Sequence, residues 1–233
     1  MRPAVSAAVV AACAVAAAPA AAAPTIKQLV VFRSGASDQG HVKAAATKAH
    51  VGRKSCAVGA GTALAGLLRS GLPGVKLKDY GSCGKRASDA GGLYVARIRK
   101  DRAKGVNGWV YKVGNKAGTA GAGDPTGPFG KGLLKPGTRV TWFFCRMKST
   151  GCQRTLAVKP EALGGGKLKV TVRGYDDRGK ARPAAKATVH AGDATATTDA
   201  KGVATLTVAP GTTRVYATAK GLVRSFEEQI DVG

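Results

Sequence analysis

The sequence predicts an α+β region with one main helix, followed by a small all-β sandwich. Three observations carry this. A single helix-like segment, "TALAGLLRSG", stands among several strand-like ones in the first part of the chain. From residue 167 onward, short alternating segments follow one another between turn signals such as "DDRGK", "DAKG" and "APGTT", the pattern of an all-β sandwich. The composition also breaks near residue 155. Residues 24–155 carry 24 Lys/Arg against 5 Asp/Glu, a net of +19, whereas residues 156–233 carry 12 against 8, a net of +4. The expected division is a leader over residues 1–23, an α+β domain over 24–154, a linker over 155–166 marked by "KPEALGGGK", and a sandwich over 167–233.

The leader, "MRPAVSAAVVAACAVAAAPAAAA", has one early positive charge, an apolar Ala/Val run and small residues at its end. These are the parts of a secretory signal peptide, with cleavage expected after Ala22 or Ala23. Val10-Ala11-Ala12-Cys13 imitates a lipoprotein cleavage box, but the apolar run continues past Cys13. No other segment approaches the roughly 20 apolar residues of a membrane-spanning helix. The expectation is an exported, soluble protein.

After the leader, "TIKQLVVFRSG" reads as a strand ended by glycine, and "GHVKAAATKAHVGRKSCAVGAG" as loop then strand. In "TALAGLLRSG", Thr62 can cap the helix, Leu64, Leu67 and Leu68 form its apolar face, and Gly71 can close it. "GGLYVARIRK" reads as a strand by its β-branched content, although its alternation is imperfect. "GWVYKVG" alternates cleanly, with Trp109, Tyr111 and Val113 on one face and Val110 and Lys112 on the other. "KPGTRVTWFFCRM" is a turn followed by a strand. One helix on a small mixed sheet is an α+β arrangement. A sandwich of about 70 residues has a thin core.

Export places the cysteines in an oxidising compartment. Without Cys13, four remain: Cys56, Cys83, Cys145 and Cys152. An even set there predicts disulfides, with three pairings open. Proximity favours Cys145–Cys152, which leaves Cys56–Cys83. No C-x-x-C pair occurs, which argues against zinc.

An ordered series of motifs carries a family resemblance: "GTALAGLL", "GGLYVARI", "NGWVYKVGNKAG", "GAGD" and "LLKPGTRVTWFF". Through them residues 26–146 resemble a bacterial domain family of unknown function related to the C-terminal domain of transcobalamin. Such domains are similar to β-grasp, ubiquitin-like folds, so the resemblance implies a β-grasp-like domain. The family's central pattern is Gly-Trp-x-Tyr-x-Val-Asn-Gly. Gly108, Trp109, Tyr111 and Val113 match it, while "VGNKAG" replaces Val-Asn-Gly and leaves Gly114-Asn115 to make the turn. "TTDAKGVATLTVAPGTTRVYATAKG" is similar to the immunoglobulin-like and transthyretin-like (carboxypeptidase-regulatory-like) sandwiches of many secreted proteins. In transcobalamin-type proteins the related domain helps to enclose a corrinoid together with a large α-helical domain. No comparable helical segment occurs in this sequence, so no binding residue is transferred.

Chemistry-bearing patterns are sparse. His41 and His50 lie nine residues apart in a basic segment without paired carboxylates, a poor metal site. There is no G-x-S-x-G elbow and no pair of acids in an apolar setting. "GAGTALAG" misplaces its third glycine for a dinucleotide loop. The sequence is therefore read as non-catalytic and without a cofactor; an enzyme would need a reactive constellation that it does not display. Two binding readings remain. Aromatics are 5% of the chain, yet Trp109 and Tyr111 stand two apart before a glycine-rich loop. They are either core residues under the helix or, with Asn115, the lining of a small-molecule groove whose lip is that loop. The net charge points instead to anionic partners in the cell wall or at the membrane surface, held through counterion release. The densest cluster is Arg97, Arg99, Lys100, Arg102 and Lys104, with Arg97 and Arg99 expected on one strand face opposite Ile98. Aromatics are not interleaved with it as single-stranded nucleic-acid binding requires, so specific nucleic-acid recognition is not expected. The leading expectation is a secreted protein that binds at or near the cell envelope.

Overall fold

A computed structural model of the chain describes residues 22–81 and 83–233. Apart from Ala22 and Ala23, the expected signal segment lies outside them. Among the described residues there is one α-helix, and the rest of the regular structure, a 3-10 turn apart, is β strands in several sheets. In the first part the elements are Thr25–Val31 (β1), Ser37–Lys43 (β2), Thr47–Val51 (β3), Lys54–Val58 (β4), Ala63–Arg69 (α1), Lys76–Asp79 (β5), a 3-10 turn over Ala87–Gly92, Leu93–Ile98 (β6), Asp101–Arg102 (β7), Gly108–Val113 (β8), Lys116–Ala117 (β9) and Arg139–Cys145 (β10). Among the described residues no helix is long and apolar enough to cross a membrane.

The main sheet has the order β2-β1-β10-β8-β9, and its central pair, β1 and β10, runs parallel. Alternation sends Ile26 and Val30 of β1, Trp109 and Tyr111 of β8, and Val140, Trp142 and Phe144 of β10 to one face. There they bury against Leu64 and Leu67 of α1. The helix forms where the sequence signals it. Thr62 Oγ1 accepts the Ala65 N–H at 3.1 Å, and Gly71, at φ +74°, turns the chain away after Ser70. Gly66 lets the helix approach β1 closely, since a Cβ there would lie 2.6 Å from the Ile26 Cδ1. Two smaller units flank this core, the β3–β4 hairpin and the β5-β6-β7 sheet. The Cys56–Cys83 disulfide ties β4 to the segment after β5.

The second part comprises Thr155–Gly164 (β11), Lys167–Tyr175 (β12), Ala181–Pro183 (β13), Thr188–Ala191 (β14), Ala194–Thr197 (β15), Val203–Thr207 (β16), Gly211–Thr218 (β17) and Glu228–Val232 (β18). β12 pairs β11 along one edge and β13 and β16 along the other, and a second sheet has the order β15-β14-β17-β18. Leu168, Val170 and Val172 of β12 share a core with Val189, Val215 and Ala217 of the second sheet. One expectation is corrected here. Residues 155–164 are not an unpaired connection. They form β11, which pairs with β12 as far as Gly164–Lys167. The glycines read as a linker make the hairpin turn, with Gly164, Gly165 and Gly166 at φ +85°, +57° and +71°. Pro160 is tolerated because β11 is an edge strand.

The opposite face of the main sheet is covered as well. Leu29, Val31, Phe143 and Cys145 bury against Val223 and Phe226 from the C-terminal part. Lys112, fully buried on this face, donates through Nζ to the Tyr175 and Asp176 carbonyls at 3.0 and 2.9 Å and pairs with the Asp177 carboxylate at 3.3 Å. Burial pulls its pKa down, and the Asp177 charge partly offsets this. Gln39 exchanges two hydrogen bonds with the Glu227 backbone, and Arg139 meets the Glu228 carboxylate in bidentate fashion. The Cys145–Cys152 disulfide links the end of β10 to the segment that enters β11.

Candidate functional site

The basic cluster folds onto the outer face of the β5-β6-β7 sheet. In β5, Lys76 and Lys78 point outward while Leu77 packs toward the core. In β6, Leu93 and Val95 face the core and Tyr94 faces outward. Strict alternation would then turn Arg97 inward and Ile98 outward. The register slips instead, since Leu77 pairs with Val95 and Lys76 with Arg97, which leaves Ala96 as the extra residue of a bulge. The bulge sends Arg97 outward and returns Ile98, fully buried, to the core. Re-aiming one side chain is what such bulges do, and it accounts for the imperfect alternation of this stretch. Arg102 of β7 pairs opposite Arg97.

The result is a row of three cations, Lys76, Arg97 and Arg102, directly opposite one another across three strands. Like charges in that position destabilise a sheet. The row forms part of a hollow of about 410 Å³, which Lys78, Lys104, Tyr80 and Tyr94 also line and to which no carboxylate contributes. Arg97 Nε is buried and has no hydrogen-bond partner. A second, broader hollow of about 710 Å³ continues the positive surface from Arg102 and Lys104 to Arg33, Arg146 and Lys148.

Not every predicted polyanion contact joins this face. Arg97, Arg102 and Lys104 do. Arg99 does not. It occupies the turn after β6 at φ +51°, so strand alternation no longer positions it, and its guanidinium lies 4.6 Å from the Phe32 ring centre and 3.9 Å from Asp38. Lys100 is exposed at the same turn and lines neither hollow.

The candidate ligand aromatics are buried. Trp109 is 2% exposed and packs edge-on against Phe32 and Phe144, with its Nε1–H donated to the Asp101 carbonyl. Tyr111 packs on Trp142 and donates its hydroxyl hydrogen to the Ala120 carbonyl at 2.8 Å. Burial, aided by the Asp124 charge, pushes the Tyr111 phenol up to about 12. Asn115 is separate from them, exposed in the two-residue turn between β8 and β9.

The glycine-rich loop is not loose. Gly118 N–H returns to the Tyr111 carbonyl, Ala122 accepts the Leu64 N–H at the start of α1, and Gly132 N–H bonds to Thr126. Its glycines sit at close approaches. A Cβ at Gly118 would be 2.2 Å from the Tyr111 ring, and one at Gly121 would be 1.8 Å from the Gly91 carbonyl oxygen. Between this loop, β6 and the edge of β8 lies a cavity of about 500 Å³. Leu93, Val95, Tyr111, Trp142, Tyr80 and Tyr94 line much of it, and Asp177 contributes the one carboxylate. Tyr80, 65% exposed, and Tyr94 border the basic hollow too. Sequence reasoning missed Tyr80, Tyr94 and Trp142. Tyr94 is flagged only by its outward position in the β6 alternation, and the other two carry no local signal.

Among the described residues no group of three or more His, Cys, Asp or Glu side chains could hold a metal ion. The chain matches no protein-family model, no curated protein and no solved structure.

Proposed function

We propose that this is a secreted, non-catalytic binding protein that acts at or near the cell envelope, with the outer face of the β5-β6-β7 sheet as its anion-binding surface. In this reading the first part is β-grasp-like and the second is an immunoglobulin-like or transthyretin-like sandwich. The parallel central pair flanked by antiparallel neighbours and backed by one helix supports the first assignment. The two packed four-stranded sheets support the second.

The observation that carries the function is the row Lys76–Arg97–Arg102. Three cations held opposite one another cost the fold stability, and a bulge is used to bring the central one outward. A polyanion laid along the row relieves the repulsion and releases its own counterions. Phosphate-rich wall polymers and anionic headgroups are the partners of that chemistry outside a cell.

The test is binding of the oxidised mature protein to long-chain polyphosphate across a salt series. Affinity should fall steeply with salt, and Arg97→Ala with Arg102→Ala should weaken binding at least tenfold at low salt and flatten the slope. Binding that ignores salt, or that survives the double substitution unchanged, sinks the proposal.

A further inference from the structure

We infer that the basic hollow and the aromatic cavity are two chambers of one site for an anionic amphiphile, a molecule with a phosphate-like head and a single apolar tail. The inference rests on the anion-binding role just proposed for the basic hollow and adds the class of ligand.

Three features support it. The chambers meet, because Tyr80 and Tyr94 line both. A head bound at Arg97 therefore has an apolar space directly beyond the tyrosine rings. The cavity, about 500 Å³, falls within the range of small-molecule sites, which are mostly apolar with a few placed polar groups. The basic chamber is also lined by Arg97, whose buried Nε donor has no partner. Buried donors are normally satisfied, and a ligand with acceptor oxygens supplies what is missing.

The occupant is a small molecule and not an added peptide strand. β9 pairs only with Lys112 and Val113, so the rest of the β8 edge faces the cavity. That edge is already blunted. The Tyr94 hydroxyl crowds Gly108, where a Cβ would lie 1.8 Å from it, and Gly118 N–H donates to the Tyr111 carbonyl. A guest strand would find its main-chain partners engaged, whereas an alkyl chain needs none. The Asp177 carboxylate at the cavity wall is held by Lys112 and by the Cys152 N–H, and it disfavours a head group in this chamber, which sets the direction of binding.

The chain has two tryptophans, Trp109 and Trp142, and both line the cavity, so intrinsic fluorescence reports on it directly. The oxidised mature protein is titrated with dodecyl phosphate below its micelle concentration, with dodecanol and inorganic phosphate as the separate halves, and with polyphosphate in parallel. Dodecyl phosphate should bind at least tenfold more tightly than either half and change the tryptophan emission. Ala120→Leu, which fills the cavity away from the basic row, should weaken dodecyl phosphate at least fivefold and leave polyphosphate binding intact. Ala117→Leu serves the same purpose if the first variant does not fold. Dodecyl phosphate that binds no better than inorganic phosphate, while polyphosphate still binds, overturns the two-chamber site alone. Loss of both overturns the anion-binding surface with it. Tight dodecyl phosphate binding that neither cavity-filling variant changes also overturns the inference, since the tail would then lie elsewhere.

Discussion

Gly121 shows how a single side chain can decide the shape of the cavity wall. A methyl group there would sit 1.8 Å from the Gly91 carbonyl oxygen, a backbone atom with little freedom to retreat. Gly121→Ala should cost about 1–3 kcal/mol in urea unfolding, the range for overpacking, and should alter the tryptophan emission as the loop lifts. Lys112 acts in the opposite sense, as a buried cation satisfied by two carbonyls and a carboxylate. Lys112→Met strands those acceptors and should cost about 3 kcal/mol. His190 gives the pH dependence. Its ring stacks on Tyr216 at 4.5 Å, and burial, with Arg224 adding to it, lowers its pKa from 6.5. The fold therefore favours the neutral ring, and the unfolded chain binds the proton first as pH falls. The stability from His190 is full above pH 6.5 and is lost as pH falls through the folded value. Urea midpoints at pH 7.5 and 5.0 should show the decline, and His190→Gln should flatten it.

The elements differ in how openly the sequence announces them, and the reason is the range of the forces involved. The cap of α1, the alternation of β8 and the turn glycines are local signals, and the structure has them where the residues place them. β11 was hidden because its final glycines have the composition of a linker, and only pairing with β12 reveals them as a hairpin turn. The bulge in β6 was hidden for a similar reason. Nothing in "LYVARI" requires it until β5 fixes the register, yet it decides which way Arg97 points. The aromatic cavity draws Tyr80, Tyr94, Tyr111 and Trp142 from well-separated segments, so no window of sequence contains it. Cys145–Cys152 pairs as proximity suggested, and Cys56–Cys83 is the pair that choice left. Cys56–Cys83 closes a loop of roughly 28 residues, and its double serine variant should lose about 3 kcal/mol, measured as a lowered urea midpoint with a steeper slope because the denatured chain without the cross-link exposes more surface.

At the scale of the whole molecule, the main sheet is buried on both faces, by α1 and the small sheets on one side and by the C-terminal part on the other. Such a shared apolar layer couples the two parts, so heating should give one calorimetric transition and not two. Phe226 is the largest apolar side chain that the C-terminal part contributes to this layer. Phe226→Ala should cost about 3–5 kcal/mol and split the transition if the sandwich holds alone.

The parallel pairing of β1 with β10 also sets a timetable. A ribosome releases Thr25–Val31 early, but its central neighbour, Arg139–Cys145, arrives more than a hundred residues later. Glu228, which Lys27 reaches at 3.4 Å, comes later still. β2 can pair one edge of β1 at once, but the other edge stays open, an invitation to aggregate, and distant pairings are slow to close. The main sheet therefore stays incomplete through more than half of synthesis, and its second face is covered only when nearly all of the chain has emerged.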